Sequence, residues 1–357
     1  MSSQIAPITL ADLQRPVRAR LERVPHELHR IVEADFGLIA KVNSHLFQMQ
    51  GKMFRPTLLL LADEATGGRD PRTITLAATV ELIHLATLVH DDSVDHSVLR
   101  RGMPTINSLF SHQVSVIMGD YLYSRAVIEL VRLDDMEPLR VLSRVTNEMT
   151  VGEMRQLLAH EPLEFSEESY DLLIQAKTAS LLSGACEVGA LRAAPAERAA
   201  LRRYGDALGM AFQIVDDLLD YVGDPRVTGK PTGSDLREHK VTLPLIAALP
   251  RMDAAARRRV NALMDQAEPD DAQIAEVIAA VAVGTTRWPT TATASTAPRT
   301  HATGSTPRPS SRSTAGPRRT PSTATAATGP VRHRPAAPGG GPVPAHSRAH
   351  PPRPRSR

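Results

Sequence analysis

The chain has 357 residues, enough for one large domain or two small ones, and its low aromatic content of 3% beside many Ala and Leu residues favours helices over sheets. The net charge of +3 conceals two different parts, because residues 285–357 contain 12 Arg but no Lys, Asp or Glu, which leaves residues 1–284 with a net charge of −9. An acidic body of this kind argues against nucleic acid as a main partner.

The single cysteine and the lack of long apolar runs predict where the protein works. Cys186 lies among small apolar residues, so we expect a core residue that forms no internal disulfide, as fits a reducing cytosol. Residues 1–24 lack the apolar run of a signal peptide, and no uninterrupted run elsewhere approaches a transmembrane span. We therefore predict a cytoplasmic protein without a transmembrane segment.

The first basic motif follows two predicted helical stretches. Apolar residues at helical spacing predict helices within residues 9–35 and again from Leu38. The second stretch leads to the hexapeptide GKMFRP at residues 51–56, in which Lys52 and Arg55 lie at the start of another helix. A helix N-terminus with two cations is suited to an anion, but two ordinary surface cations remain the alternative.

An acidic cluster ends the next predicted helix, within the sequence LIHLATLVHDDSVDHSVLRRGMPTIN at residues 82–107. Asp91 and Asp95 are four residues apart and share a helix face with His84. Asp92 points about 100° away from that face. Because like-charged carboxylates on one face repel, the arrangement predicts a bound cation.

The chemistry of this cluster favours magnesium and a diphosphate. Carboxylate oxygens suit a hard ion such as Mg²⁺. Arg100 and Arg101 follow the cluster at once. Magnesium beside arginines is what a diphosphate group requires, so we predict a diphosphate site here.

Three more helices are predicted in the middle of the chain, at residues 115–130, 139–160 and 169–191. The last of them contains Lys177 and Thr178. A lone lysine in the middle of a helix is usually a surface residue, so the spacing alone assigns it no role.

A second acidic cluster lies in an apolar helix predicted within residues 196–224. Its polar residues recur at i, i+3, i+4 and i+7, and they are Gln213, Asp216, Asp217 and Asp220. The Gly- and Pro-rich loop that follows carries Lys230 and ends at Lys240. One acidic run is usually a solvated surface, but two Asp-Asp-x-x-Asp clusters in apolar helices, each followed by basic loop residues, indicate function.

The body closes with helices predicted at residues 254–265 and 271–283, and a tail follows. Residues 285–357 include 14 prolines and no hydrophobic periodicity, so we divide the chain into a domain at 1–284 and a disordered tail at 285–357. One interpretation of the tail is a basic segment that binds nucleic acid or anionic lipid. We favour another, in which a frameshift replaced the true C-terminal helices, because Arg, Pro, Ala, Gly, Thr and Ser are what GC-rich DNA encodes in a wrong frame.

In their order and spacing these motifs resemble those of the trans-polyprenyl diphosphate synthases of the long-chain bacterial type. The resemblance runs from about residue 10 to 283 and implies an all-α, single-domain bundle of helices around a deep central cavity, with a homodimer as the usual assembly. It also implies a Mg²⁺-dependent prenyltransferase. The reaction would join isopentenyl diphosphate head to tail with an allylic diphosphate and give a trans-polyprenyl diphosphate.

The resemblance also implies roles for individual residues. Carboxylates would bind the Mg²⁺ ions that hold the allylic diphosphate, namely Asp91, Asp95, Asp216 and Asp220, with Asp92 and Asp217 in support. Basic and polar groups would bind that diphosphate: Arg100, Lys177, Lys230 and Lys240, assisted by Thr178 and Gln213. The diphosphate of isopentenyl diphosphate would be held by Lys52, Arg55, His84 and Arg101. The catalytic set would comprise Asp91, Asp92, Asp95, Lys177, Asp216, Asp217 and Lys230.

Product length and the alternatives follow from smaller features. Members that make short products have bulky aromatic residues just before the first acidic cluster, where this chain has Ala86 and Thr87, so a longer product is implied.

A terpene cyclase would have one such cluster and would not need the basic set, and a di-iron bundle would need Glu-x-x-His pairs that we do not find. The alternatives left are an inactive or regulatory subunit of a two-component synthase and a truncated, non-functional synthase.

Overall fold

Helices form nearly all of the structure, a computed structural model that describes residues 8–49, 51–68, 71–158, 165–224, 226 and 232–285. These residues belong to one compact unit spanning Met1–Ala292. Within the described ranges the strands are confined to a two-stranded antiparallel hairpin. The prediction of an all-α fold is therefore confirmed.

The first part of the chain forms helices and one hairpin. Its helices are α1 (Leu10–Gln14), α2 (Arg18–Leu21), α3 (Val24–Val32), α4 (Gly37–Gln48), α5 (Phe54–Ala65) and α6 (Arg72–Val94). The hairpin follows, with β1 at Leu99–Arg100 and β2 at Met103–Pro104. Its turn holds Arg101 and Gly102 in the left-handed region, and this tight reversal presents Arg100 and Arg101 next to the end of α6.

The second part of the chain forms the other described helices. Its helices are α7 (Ile106–Leu109), α8 (His112–Arg132), α9 (Met136–Leu158), α10 (Glu167–Ile174), α11 (Ser180–Gly189), α12 (Pro195–Val222), α13 (Ser234–Arg237), α14 (Leu243–Ala248), α15 (Ala254–Met264) and α16 (Asp271–Thr285). A single π-helical turn at Gln175–Ala179 joins α10 to α11. The helix predicted at residues 169–191 is therefore interrupted, and π turns of this kind often occur at functional sites.

Helix α6 is the central element of the main core. It packs against α3, α5 and α8, and residues such as Ala77, Ala78 and Val80 are fully buried. By length and composition it could cross a membrane, but 67% of its most apolar stretch is buried inside the protein. A mostly buried helix of this kind is what the core of a globular bundle requires.

Glycines let the helices that carry functional residues approach one another closely. A Cβ atom on Gly209 of α12 would collide with the backbone of Ala179, which belongs to the π turn. A Cβ atom on Gly152 of α9 would lie 2.7 Å from Ala176 Cβ in the same turn. These two contacts fix the π turn between α9 and α12.

A smaller apolar cluster lies under the second acidic cluster. Helices α14, α15 and α16 bury Leu245, Val260 and Val277 together with Tyr221 from the end of α12. The helices predicted at residues 254–265 and 271–283 are thus confirmed. The tail at residues 286–357 lies outside the described residues, and so its disorder and the frameshift stay predictions.

Candidate active site

The first acidic cluster lies at the end of α6, as predicted. Asp95 is exposed and Asp91 partly exposed, whereas Asp92 is 5% exposed. The Asp92 oxygens each accept a 2.8 Å hydrogen bond from Arg100 Nε. The hairpin therefore neutralises Asp92 in the wall of the site and leaves Asp91 and Asp95 for a ligand.

Lys177 faces this cluster from the π turn. Its Nζ atom lies 3.9 Å from Asp91 Oδ2 and 2.5 Å from Glu153 Oε1 of α9, and it donates a 3.4 Å hydrogen bond to Gln156. Burial raises the pKa of Asp91 to about 6, against the opposing effect of Lys177. A carboxyl group whose ionised form is disfavoured by burial gains most from a nearby metal cation.

In the second cluster, Asp217 is the buried member. It is 5% exposed, and it accepts a 2.5 Å hydrogen bond from the Tyr170 hydroxyl and a 2.7 Å hydrogen bond from Gln213 Nε2. Gln213 Oε1 in turn accepts a 2.8 Å hydrogen bond from Thr178, the neighbour of Lys177. Burial raises the pKa of Asp217, and both hydrogen bonds oppose that effect. Asp216 remains exposed one residue earlier on α12.

Asp220 holds the segment that leads to Lys240. Its two carboxylate oxygens accept 3.0 Å hydrogen bonds from the backbone N–H groups of Ser234 and Asp235. The backbone N–H of Lys240 donates a 2.8 Å hydrogen bond to the Asp235 carbonyl. Lys240 Nζ then lies 3.3 Å from Asp95 Oδ2 of the first cluster.

Two bridges thus connect the acidic clusters, which are more than a hundred residues apart in sequence. The first starts at Asp91 and runs through Lys177 and its neighbour Thr178 to Gln213. The second starts at Asp95 and runs through Lys240 to the segment held by Asp220. The structure therefore brings the predicted residues of both clusters into one site. Lys230 lies outside the described residues.

The acidic residues suit a metal that completes its coordination with substrate. Within the described ranges, no three His, Cys, Asp or Glu side chains come close enough to form a metal site by themselves. Mg²⁺ is usually bound by one or two carboxylates, waters and substrate phosphates, so it does not need a complete protein cage. The carboxylates of Asp91, Asp95 and Asp216 fit that requirement, since none of them is fully buried.

A further site, rich in cationic side chains, lies beside the site formed by the acidic clusters, and we call it the second cationic site. Arg55 lies in the first turn of α5, His84 lies on α6, and Arg101 donates a 2.8 Å hydrogen bond to the Met49 carbonyl. Burial and the nearby arginines lower the pKa of His84 well below its usual value, so its ring is neutral at pH 7. Lys52 is exposed at the edge of this site.

The loop before α5 is held in an uncommon conformation. Met53 caps α5 with φ at 49°, a left-handed value that is rare for a residue other than glycine. Gln14 stabilises this turn by donating 3.1 Å hydrogen bonds to the Lys52 carbonyl and to Thr57. The N-terminal segment thus orients the basic motif.

Sequence reasoning missed three residues of the site. They are Glu81, Glu153 and Tyr170. Glu81 lies one turn before His84, and this i, i+3 spacing on a core helix was the available signal. Tyr170 and Glu153 reach the site through packing between helices, which no local pattern indicates.

Comparison with known proteins yields a consistent result. A family model described as polyprenyl synthetase matches residues 37–281. The all-trans-nonaprenyl-diphosphate synthase (geranyl-diphosphate specific) of Rhodobacter capsulatus is 39% identical over 272 residues, which are 76% of this chain and 83% of that protein. The heptaprenyl diphosphate synthase component 2 of Geobacillus stearothermophilus is 37% identical over 265 residues, or 73% of this chain and 81% of that protein.

Solved structures agree with the sequence comparison. A polyprenyl synthase from Caulobacter crescentus CB15, complexed with calcium and isoprenyl diphosphate, matches with a TM-score of 0.74 and 35% identity, covering 78% of this chain and 85% of that one. A decaprenyl diphosphate synthase from Rhodobacter capsulatus matches with a TM-score of 0.73 and 37% identity, covering 77% and 86%.

Proposed function

The chain belongs to the polyprenyl synthetase family, and we propose that it catalyses the Mg²⁺-dependent condensation of isopentenyl diphosphate with an allylic diphosphate to give a trans-polyprenyl diphosphate. Its relatives are prenyl diphosphate synthases, so it is a prenyltransferase of isoprenoid biosynthesis. The observation that carries the finer proposal is the joining of the two acidic clusters through Lys177 and Lys240. This arrangement provides carboxylates for a metal and cations for a diphosphate in one place.

The acidic residues would hold Mg²⁺ through Asp91 and Asp95 on one side and Asp216 on the other, with Asp220 adjacent. Mg²⁺, when bound, supplies a Lewis acid that stabilises negative charge on the leaving diphosphate. Asp92 and Asp217 would act by positioning, since Arg100 holds the first and Tyr170 with Gln213 holds the second.

The cationic side chains would bind the allylic diphosphate and stabilise it as it leaves. The allylic C–O bond breaks and its electron pair passes to the diphosphate oxygen, where Arg100, Lys177 and Lys240 balance the new charge, with Lys230 as a further candidate. Thr178 and Gln213 would orient this group. The double bond of isopentenyl diphosphate then attacks the allylic carbon, and the resulting cation loses a proton to the released diphosphate.

The second cationic site would hold isopentenyl diphosphate through Lys52, Arg55, His84 and Arg101. Because His84 is neutral, it donates a hydrogen bond without adding charge. The reaction leaves the diphosphate of isopentenyl diphosphate on the product. Each elongation step therefore ends with the product diphosphate in this second site.

The hydrocarbon chain needs apolar walls that exclude water from the allylic cation. Phe212, Val215 and Leu219 are exposed on the face of α12 that also carries Asp216, and they would provide part of such a wall. Ala86 and Thr87 support a long product, as do relatives named octaprenyl and nonaprenyl diphosphate synthases.

We further propose that the enzyme works in the cytoplasm as a homodimer. An exposed apolar stripe on α8 supports the dimer, and it comprises Val116, Ile117, Tyr123, Ile128 and Val131. Cys186 is buried, and burial raises the pKa of its thiol to about 12, which fits a reduced core residue in a reducing compartment.

One observation favours a second candidate function. Two relatives are named component 2 of a heptaprenyl diphosphate synthase, so a partner subunit could be required for activity. The test is to incubate the purified chain with Mg²⁺, isopentenyl diphosphate and allylic primers of several lengths, and to read products by mass. A ladder of polyprenyl diphosphates supports the synthase, whereas a folded protein without product contradicts it and favours the partner-dependent or inactive form.

A further inference from the structure

Glu81 and Glu129 are both buried glutamates, but their bonding differs. Glu129 is 3% exposed and forms ion pairs through both oxygens, 2.7 Å from Arg30 and 2.6 Å from Arg132. Its charge is fully used in joining α3 to α8. It therefore serves as a reference for a purely structural buried glutamate.

Glu81 is equally buried but incompletely bonded. It is 5% exposed, and within the described residues its Oε2 atom has no hydrogen-bond partner and the side chain has no ion pair within 4.0 Å. Arg55 Nε is likewise buried without a partner there. Buried polar atoms without partners are costly, so they mark places where a ligand or water completes the bonding.

Glu81 and Arg101 of the second cationic site converge on Gly51. A Cβ atom on Gly51 would lie 3.1 Å from Arg101 Nη1 and 3.5 Å from Glu81 Oε1, so the missing side chain leaves room for these groups to meet. Burial raises the pKa of Glu81, and Arg55 and Arg101 oppose that effect by favouring the ionised carboxylate. Glu81 supplies a negative charge that acts on the guanidinium group of Arg55.

We propose that Glu81 is a positioning residue that serves as the resident counter-ion of the second cationic site. It weakens diphosphate binding there enough for the elongated product to leave that site. This inference rests on the proposed function, because there the product diphosphate ends each step between Arg55 and Arg101. A site with Arg55 and Arg101 but no resident anion would bind that diphosphate too tightly. Glu81 thus lowers the affinity of this site for the product diphosphate and thereby speeds product departure.

The test compares Glu81→Gln with the wild-type protein. In buffer without Mg²⁺, where the acidic clusters repel anions, we expect inorganic diphosphate to bind roughly tenfold more tightly to the variant in calorimetry. In steady state, the KM for isopentenyl diphosphate should fall and kcat should fall, while the KM for the allylic substrate stays unchanged. Glu129→Gln is the matched control, and it should alter stability without changing diphosphate affinity.

Stability supplies the second measurement. Without its counter-ion, E81Q should melt at a lower temperature than wild type and recover more than wild type when diphosphate is added. Unchanged or weaker diphosphate binding would overturn the proposal, as would a variant that does not fold even with diphosphate present. Failure of the proposed function would look different, because wild-type protein would then form no product while diphosphate binding could still be measured.

Discussion

Lys240 Nζ lies 3.3 Å from Asp95 Oδ2, although 145 residues separate the two along the chain. The ammonium group also donates a 2.6 Å hydrogen bond to Glu238. Burial lowers the pKa of Lys240, but Glu238 and Asp95 outweigh burial and raise it above its usual value. The lysine therefore stays charged at physiological pH, beside the carboxylate that would bind the metal.

Replacing this lysine tests its part in binding the allylic substrate. We expect Lys240→Met to raise the KM for the allylic diphosphate roughly tenfold, because one charged contact to the leaving group is lost, with little change in the KM for isopentenyl diphosphate. Lys41→Met is the control, since Lys41 is exposed and lies over the Phe110 ring. Equal changes in both KM values would contradict the assignment.

The Tyr170 hydroxyl should matter for metal binding although it touches no metal. In Tyr170→Phe, the buried Asp217 carboxylate loses one of two side-chain donors, and we expect a cost in stability of about 1–3 kcal/mol. Because Asp216 and Asp220 lie on the same helix, the Mg²⁺ concentration for half-maximal activity should rise several-fold. Tyr121→Phe removes a hydroxyl that donates to the Val32 carbonyl, and it should leave that Mg²⁺ concentration unchanged.

Asp235 should make stability depend on pH. Burial, followed by Asp220 and Asp217, raises its pKa from 3.8 to about 7. Since the folded value is the higher one, the stability that this group contributes is fully present below pH 3.8 and is lost as the pH rises through about 7. Asp235→Asn should therefore match wild type at pH 4 and melt roughly 2–4 °C higher at pH 8 in buffer without Mg²⁺. A difference in melting temperature that does not vary with pH would show that Asp235 does not titrate in this range.

The close contact at Gly209 offers a test of how the π turn is held. A methyl group there would collide with Ala179, so Gly209→Ala should destabilise the protein by about 1–3 kcal/mol and lower kcat by displacing Lys177. Gly37→Ala is the control, because nothing lies within 4 Å of its added Cβ atom. The measurements are the melting temperature and kcat of each variant, and equal values for Gly209→Ala and Gly37→Ala would contradict the prediction.

The sequence predicts those parts of the site that have a local cause. The spacing of Asp91 with Asp95 and of Asp216 with Asp220 follows from helical geometry, so both clusters could be located in advance. The hairpin that brings Arg100 onto Asp92 depends on a left-handed turn at Arg101, which its sequence does not demand. The contacts of Tyr170 and Glu153 depend on which helices pack together, and no periodicity contains that information.

The most direct test of the central claim is to locate the metal itself. Crystals grown with Mn²⁺ and an unreactive thio analogue of an allylic diphosphate would show each manganese ion by anomalous scattering. We predict manganese bound to oxygens of Asp91 and Asp95 and of Asp216, with Lys177 and Lys240 on the diphosphate. Manganese confined to one cluster, or a diphosphate bound away from both lysines, would contradict it.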